Sequence, residues 1–252
     1  MRTASIDVEI PVIDFSRFNP DDHAGLEVLV TEVDQALSGV GSMAVRHIGI
    51  DDVLLRQVFN ASRTFFSSDE SQKRGSAYRS ASENFGYQGI GQENLDPSAP
   101  ADLEETFTLR LLHYPSIDDA PETGQLGAGA HTDFGLLTLL FQNEIGGLEV
   151  QTDDGEWQCV GASTTDVVIN SGDLPEVWNN GRYRSTPHRV QPISKSTDRQ
   201  SIAMFVDPDS ATKVAVLPSC VSPNNPARFR PTSAGAHLQE RIQAAHKSRF
   251  EV

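Results

Sequence analysis

The sequence has few cysteines, few aromatic residues and no long apolar segment. Only two of its 252 residues are cysteine, Cys159 and Cys220, which excludes a disulfide framework. We therefore expect free thiols in a reducing compartment, which indicates a cytoplasmic protein. No stretch approaches the ~18 consecutive apolar residues of a membrane span, and the start, MRTASIDVEIPVIDF, has no signal-peptide pattern. We expect no interaction with a membrane.

Basic residues are also scarce. Lysine and arginine together number 20 against 35 acidic residues, giving a formal charge of −15 and a pI near 4.7. Because binding to a nucleic-acid backbone requires a positive surface, this balance argues against nucleic acid as a partner. A local basic pocket for a small anion stays compatible with it. The length fits one large domain or two small ones, with enough residues for a substantial core.

The N-terminal third has helical periodicity. Apolar residues recur at helical spacing over 26–37 and stop before Gly39. A strand is predicted over 43–50, followed by a second helix over 51–65 that begins at an aspartate pair. Residues 67–103 are polar and lack periodicity, which predicts a long loop.

From Phe107 onward the pattern changes to short strands. They are predicted over 108–114, 136–141, 148–152, 157–160, 167–170, 182–190, 201–206 and 213–217. The turn sequence Asp153-Asp154-Gly155 makes a hairpin of the third and fourth, and Gly181 ends one short helical turn. An amphipathic helix is predicted over 234–249. Many short strands at regular spacing favour a barrel or sandwich, so the predicted class is α+β with a mainly β core.

One pair of residues stands out as a metal site. His131 and Asp133 are separated by one residue, so on an extended strand both side chains point to the same side. His188, on a later predicted strand, can supply a third ligand. Two histidines and one carboxylate leave three open positions, which suits non-haem Fe(II) with a chelating co-substrate and O2. The pattern His-x-Asp alone also occurs often by chance.

A second pattern predicts a carboxylate receptor. Arg199 and Ser201 lie on the strand predicted to neighbour that of the second histidine, and a guanidinium beside a hydroxyl binds a carboxylate well. The alternative is a surface ion pair of Arg199 with Asp198 or Asp207. Tyr114 could offer its phenol to the same carboxylate, or be an ordinary core tyrosine.

These residues lie in strings that identify a family. RLLHYP, GAGAHTDFGLLTLL, GGLEVQTDDGEW, VVINSGDLPEVWNNGRYRSTPHRV and DRQSIAMFVDPD follow IPVIDFSRF in order. The chain resembles the Fe(II)/2-oxoglutarate-dependent dioxygenases of the isopenicillin N synthase-like family. The resemblance implies a double-stranded β-helix (jelly roll) flanked by N-terminal and C-terminal helices. It implies a single domain over 1–252, with a helical N-terminal region at 1–106, the jelly-roll core at 107–220 and a C-terminal helix at 232–250.

The resemblance also implies an activity. The enzyme would oxidise a small organic molecule, by hydroxylation, desaturation or cyclisation, and release succinate and CO2, as in secondary metabolism. No catalytic side chain beyond the metal ligands is implied. The implied roles are iron binding for His131, Asp133 and His188, 2-oxoglutarate binding for Arg199, Ser201 and Tyr114, substrate contact for Phe134 and Phe205, and structural support for Asn170 and Trp178.

The chain departs from the family pattern in two places. Leu112 stands where members commonly carry asparagine, so one polar contact to the co-substrate or the iron-bound ligands would be absent. Phe107 and Arg110 are nearly adjacent where members usually insert several helices, so this is a short member that lacks the central helical segment. We expect its loss to expose apolar surface that a homodimer would cover.

Two alternatives remain open at the level of sequence. One is an iron oxidase of the same fold that does not use 2-oxoglutarate, and the other is a degenerate binding protein without catalysis. Nothing in the sequence names the prime substrate. Arg79, Arg110 and Arg182 could pair with an acidic substrate, and each could equally be an ordinary surface or structural arginine.

Overall fold

The described part of the chain is built on two larger β-sheets, one short pair of strands and five α-helices. The structure is a computed structural model that describes residues 10–79, 85–92, 95–96, 98–107, 110–117, 120–161, 163–193 and 197–246. Its helices are α1 (His23–Ser38), α2 (Asp52–Phe66), α3 (Glu70–Arg74), α4 (Asp173–Trp178) and α5 (Ala234–His246). No helix among these residues combines the length and the apolar character needed to cross a bilayer.

The strands are short and mostly antiparallel. They are β1 (Val12–Asp14), β2 (Ser42–Arg46), β3 (Tyr87–Gln88), β4 (Glu105–Phe107), β5 (Leu111–Tyr114), β6 (Ala128–His131), β7 (Leu137–Gln142), β8 (Leu148–Gln151), β9 (Trp157–Cys159), β10 (Val167–Ser171), β11 (His188–Val190), β12 (Arg199–Val206), β13 (Lys213–Val214) and β14 (Thr232–Ser233). The major sheet has the order β1-β2-β10-β7-β12-β5-β4-β3, and the minor sheet has the order β6-β11-β8-β9. Strands β13 and β14 form a separate pair, so the architecture is the predicted α+β class with a mainly β core.

The predicted N-terminal helices are confirmed. Helix α1 covers the predicted 26–37, and the side chain of Asp22 caps it by accepting from the Gly25 backbone N–H. Helix α2 begins after Asp51, whose carboxylate accepts from Val53 N at 2.7 Å. The strand predicted over 43–50 ends earlier, at Arg46, because the backbone turns at His47 with φ 59°.

Two other predictions need correction. The polar stretch 67–103 contains helix α3 and strand β3 as well as loops. The strand predicted over 182–190 is limited to β11, because the chain turns at Asn180 and Gly181, both with positive φ, and Arg184 N then bonds to the Leu37 carbonyl of α1. Gly181 does end α4, as predicted, by donating to the Glu176 carbonyl.

Other predicted boundaries change less. The hairpin of β8 and β9 is confirmed, with Gln151 opposite Trp157. Residues 108–109 of the strand predicted over 108–114 and residues 247–249 of the C-terminal helix lie outside the described residues. The strand predicted over 213–217 is limited to β13.

The N-terminal region contributes strands to the same sheet as the rest of the chain. Strand β2 pairs with β1 in parallel and with β10 antiparallel, and α1 packs against it through Leu29, Leu37 and Val45. At the other edge, β4 and β5 form a hairpin in which Phe107 lies opposite Leu111. The hairpin joins the strands directly at the point where the family would insert its helical segment.

Candidate active site

Neighbouring strands of the minor sheet bring three metal-binding side chains together. His131 of β6 lies directly opposite His188 of β11, and Asp133 follows β6 by two residues. The ligand atoms of all three lie within 4.8 Å of one another, with His188 Nε2 3.7 Å from Asp133 Oδ1. The predicted convergence of these residues is therefore present in the structure.

Each of the three side chains is held by a neighbour that leaves one ligand atom available. His131 Nδ1 lies 2.7 Å from the Gly129 carbonyl, and His188 Nδ1 lies 3.1 Å from the Thr186 carbonyl. Because a carbonyl only accepts, both Nδ1 atoms carry the proton and both Nε2 atoms are free to bind a metal. The Asn170 amide donates to Asp133 Oδ2 at 3.2 Å, which leaves Oδ1.

Electrostatics favour the neutral imidazole that metal binding requires. Burial lowers the pKa of His131 to about 4, and the neighbouring His188 acts in the same direction. At neutral pH His131 therefore offers an uncharged nitrogen donor. The donor set of all three residues fits Fe(II), which prefers two imidazoles and one carboxylate with open positions left for other ligands.

A buried cation lies on the major sheet opposite the metal-binding residues. The prediction that its strand neighbours that of His188 is wrong, because β12 pairs with β5 and β7 of the major sheet whereas β11 pairs with β6 and β8 of the minor sheet. Arg199 has no exposed surface, and its Nη1 donates to Ser201 Oγ at 3.1 Å while its Nη2 donates to Gln142 Oε1 at 3.3 Å. The guanidinium lies over the Tyr114 ring, 4.6 Å from its centroid. Because Arg199 is buried, the alternative of a surface ion pair with Asp198 or Asp207 is wrong. The Asp198 carboxylate instead binds His113 and the Ser116 N–H, each at 3.0 Å.

One cavity of about 570 Å³ contains both sites. The side chains predicted from the sequence to form the site all line it, namely His131, Asp133, His188, Arg199, Ser201, Tyr114, Phe134 and Phe205. Leu112 also lines the cavity, so its wall is apolar where family members commonly place an asparagine. Such a mostly apolar cavity with a few polar groups is typical of a small-molecule site.

The two predicted supporting residues have different positions. Asn170 bonds to Asp133, and its Oδ1 accepts from the Ser42 hydroxyl at 2.9 Å. Trp178 lies on α4, and its Nε1 donates to the Lys213 carbonyl at 3.5 Å. Of the two, Asn170 is therefore the one that supports a metal-binding side chain directly.

Several polar residues of the cavity were not predicted from the sequence. Glu104, Thr106 and Thr138 line it and are buried. Arg110, which the sequence left ambiguous, also lines the cavity, with its guanidinium 5.6 Å from the Phe205 ring centroid. Strand alternation could have indicated Glu104 and Thr106 once the pairing of β4 with β5 was known.

Comparison with known families covers most of the chain. Residues 106–208 match the 2OG-Fe(II) oxygenase superfamily, and residues 10–126 match the family described as non-haem dioxygenase in morphine synthesis N-terminal. Proline hydroxylase buaE of Petromyces alliaceus is 40% identical over 141 residues, which cover 52% of this chain and 44% of that protein. Scopoletin 8-hydroxylase of Arabidopsis thaliana is 36% identical over 128 residues, covering 51% and 35% respectively. The chain spans about half the length of the curated relatives it matches.

Solved structures share the fold. A full-length Neurospora crassa protein, in complex with alpha-KG and thymine, superposes with a TM-score of 0.84 at 24% identity and covers 93% of this chain and 96% of that chain. A putative 2OG-Fe(II) oxygenase family protein of Caulobacter crescentus gives a TM-score of 0.80 at 22% identity, covering 93% and 98%. These likenesses confirm the predicted jelly roll. The family matches, which together span residues 10–208, confirm the resemblance to isopenicillin N synthase-like dioxygenases, and residues 106–208 belong to the 2OG-Fe(II) oxygenase superfamily.

Proposed function

We propose that the protein is an Fe(II)- and 2-oxoglutarate-dependent oxygenase. It oxidises a small organic molecule, by hydroxylation, desaturation or cyclisation, and releases succinate and CO2. The observation that carries this proposal is a single cavity with the metal-binding group of His131, Asp133 and His188 and the buried guanidinium of Arg199 in its walls. A metal ion with open positions and a carboxylate receptor are the two features that use of 2-oxoglutarate requires.

Three side chains would hold the iron. His131 and His188 would bind through Nε2 and Asp133 through Oδ1, because their other polar atoms already have partners. When bound, Fe(II) together with 2-oxoglutarate and O2 supplies the oxidising power that acts on a C–H bond of the substrate. Asn170 keeps the carboxylate oriented, and the protein contributes position rather than a further catalytic side chain.

The distal carboxylate of 2-oxoglutarate would bind at Arg199. The guanidinium is fixed by Ser201 and Gln142 and by the Tyr114 ring beneath it, so little motion is needed on binding. The hydroxyls of Ser201 and Tyr114 add donors at the same end of the cavity. A bound carboxylate there directs the 2-oxo acid end of the molecule along the cavity toward the metal ligands.

Phe134 and Phe205 would contact the prime substrate. Each ring lies next to an arginine, with Phe134 4.6 Å from the Arg241 guanidinium and Phe205 5.6 Å from that of Arg110. Together with Leu238 of α5, these rings give the cavity an apolar wall that excludes water. Small organic substrates suit this wall, as the names of the hydroxylases among the relatives also suggest.

Anaerobic titration tests the proposal. Fe(II) added with 2-oxoglutarate should give a metal-to-ligand charge-transfer absorption band, and the Asp133→Ala variant should give none. Succinate release with a panel of small molecules then identifies substrates. Oxidation without succinate would favour the 2-oxoglutarate-independent oxidase. No band in the wild-type protein would favour a binding protein without catalysis.

We further propose that the chain works as one domain over 1–252 in the cytoplasm and forms a homodimer. Met204, exposed by more than half, lies on β12 close to the β4–β5 hairpin, where a second copy would cover it. Sedimentation at several concentrations tests this. A monodisperse monomer at every concentration would rule out the dimer.

A further inference from the structure

A buried carboxylate lies at the end of the cavity that would receive the distal carboxylate of 2-oxoglutarate. Glu104 immediately precedes β4, is only 2% exposed and lines the cavity. An ionised carboxylate is costly to bury unless charged or hydrogen-bonding groups face it. Glu104 therefore needs an electrostatic reason for its position.

Strand register places Glu104 on the same face as the receptor. Glu105 pairs with His113 on β5, and Arg199 of β12 pairs with Tyr114. Because paired residues share a face and successive residues alternate, Glu104, Tyr114 and Arg199 all point to the inner face of the sheet. They form one row across three neighbouring strands.

The Tyr114 phenol lies between the two ends of this row. Arg199 Nη1 donates to Ser201 Oγ at 3.1 Å, and the guanidinium lies 4.6 Å from the Tyr114 ring centroid. Burial raises the pKa of the Tyr114 phenol well above its usual range, and the negative charge of Glu104 raises it further, whereas Arg199 lowers it. The phenol is therefore protonated, and its O–H is available to a carboxylate.

That single proton would face two carboxylates once 2-oxoglutarate is bound, namely those of Glu104 and of the ligand. A tyrosine hydroxyl donates one hydrogen bond. If Tyr114 donates to Glu104, it cannot donate to the distal carboxylate of 2-oxoglutarate at the same time. Glu104 also places a negative charge beside that incoming carboxylate, and like charges at short range oppose binding.

We propose that Glu104 sets the affinity of the receptor for dicarboxylic 2-oxo acids by competing with the distal carboxylate for Tyr114 and for the charge of Arg199. The inference rests on the proposed function, because it takes 2-oxoglutarate as the ligand of Arg199. Glu104 is a positioning residue in this scheme, since it acts on the ligand through Tyr114. It weakens binding of 2-oxoglutarate relative to a 2-oxo acid that lacks the second carboxylate.

Anaerobic titration of the Fe(II)-loaded protein with 2-oxoglutarate tests the proposal through the dissociation constant. Glu104→Gln keeps the size of the side chain and removes its charge, and it should tighten binding of 2-oxoglutarate about tenfold. A merely structural role would loosen binding instead. Glu105→Gln is the matched control, because it removes the same charge from the adjacent residue on the opposite face and should leave the dissociation constant unchanged.

A double-mutant cycle locates the effect. In a Tyr114→Phe background, Glu104→Gln should tighten binding by less than in the wild type, because the shared hydroxyl is gone. Equal or weaker binding in the single variant Glu104→Gln would overturn the proposal. The proposal would also be overturned if Glu104→Gln and Glu105→Gln raised the affinity for 2-oxoglutarate equally.

A comparison of ligands in the wild-type protein needs no variant. Replacing 2-oxoglutarate by 2-oxopentanoate removes the distal carboxylate, and the loss of affinity should stay below about tenfold, since Glu104 offsets part of the attraction to Arg199. A loss greater than about tenfold would overturn the inference. Failure of the wild-type protein to bind 2-oxoglutarate with Fe(II) would instead overturn the proposed function itself.

Discussion

Two adjacent glutamates, Glu104 just before strand β4 and Glu105 as its first residue, lie in different environments. Glu105, on the outer face, is 4% exposed and contacts Lys73 Nζ at 2.7 Å, the Tyr87 hydroxyl at 2.6 Å and His113 Nδ1 at 2.7 Å. Glu104, on the inner face, is similarly buried but faces a cavity. The outer carboxylate is surrounded by protein side chains, whereas the inner one borders a cavity that a ligand can enter.

The same contrast extends to the neighbouring residues. On the outer face, His113 Nε2 lies 3.0 Å from Asp198 Oδ2 and the ring stacks on Phe66. Both ring nitrogens therefore have hydrogen-bond partners, since Nδ1 contacts Glu105. On the inner face, Arg199 Nε and Thr138 Oγ1 are buried without a hydrogen-bond partner among the described residues. Buried polar groups are normally paired, and unmatched ones that line a cavity are suited to contact a ligand. We therefore infer that the outer cluster stabilises the fold, and we propose that the inner cluster binds the ligand.

The largest effect should come from breaking the outer cluster. Lys73→Met leaves the buried carboxylate of Glu105 without its lysine partner, which should lower the free energy of unfolding by about 3 kcal/mol. Chemical denaturation measures the change. The dissociation constant for 2-oxoglutarate should stay the same, and a large change in it would contradict the division between the two faces.

A smaller effect is expected on the inner face. Arg199→Lys keeps the positive charge but loses the planar fork that bonds Ser201 and Gln142, so affinity for 2-oxoglutarate should fall about thirtyfold, on the order of 2 kcal/mol. The intensity of the charge-transfer absorption band measures binding during the titration. If affinity is retained, Arg199 does not bind the distal carboxylate. The melting temperature serves as the control for folding.

The outer cluster should also depend on pH. Burial by itself lowers the pKa of His113, but the hydrogen bonds to Glu105 and Asp198 outweigh burial and raise the pKa above its usual value. A raised pKa stabilises the fold fully below the unfolded value, and that stabilisation is lost as pH rises through the folded value. The destabilisation caused by His113→Gln should thus be larger at about pH 5.5 than at about pH 9.

The pH window isolates His113 from its partner. The hydrogen bonds from His113, Lys73 and Tyr87 outweigh burial and lower the pKa of Glu105, so the contribution of this carboxylate is lost only at pH values below that window. Unfolding free energies of wild type and variant at the two pH values give the comparison. An equal difference at both would show that His113 is not charged in the fold.

The smallest effect concerns Thr138. Because its hydroxyl is buried without a partner in the described part of the chain, Thr138→Val should leave the free energy of unfolding unchanged or raise it by up to about 1 kcal/mol. Ser42→Ala is the matched comparison, because that hydroxyl donates to Asn170 and its loss should cost about 1 kcal/mol. Equal losses in both variants would mean that Thr138 has a structural partner.

Sequence patterns predicted His131 with Asp133, and Arg199 with Ser201, because only one residue separates the members of each pair. The spacing of His131 and Asp133 follows from alternation, and Arg199 with Ser201 follows the same rule on β12. Glu104 escaped prediction because its face depends on the register of β4 against β5, which periodicity does not give. The local sequence does not distinguish Glu104 from Glu105, although one faces the cavity and the other faces the outer cluster.

The strand predicted over 182–190 was wrong for a related reason. Residues Asn180 and Gly181 adopt positive φ, and Arg184 then bonds to α1, so a tertiary contact overrides the local preference for extended structure. Short elements such as α3 were missed because five residues carry too little periodicity to be recognised.

The β4–β5 hairpin has a consequence for how the protein folds. Only three residues separate Phe107 from Leu111, so closing this loop costs little entropy, whereas β6 and β11 must find each other across more than fifty residues. Contacts between distant parts of the chain form slowly. The edge that carries Glu104 and Tyr114 is therefore expected to form early, and the pairing of His131 with His188 to come late in folding.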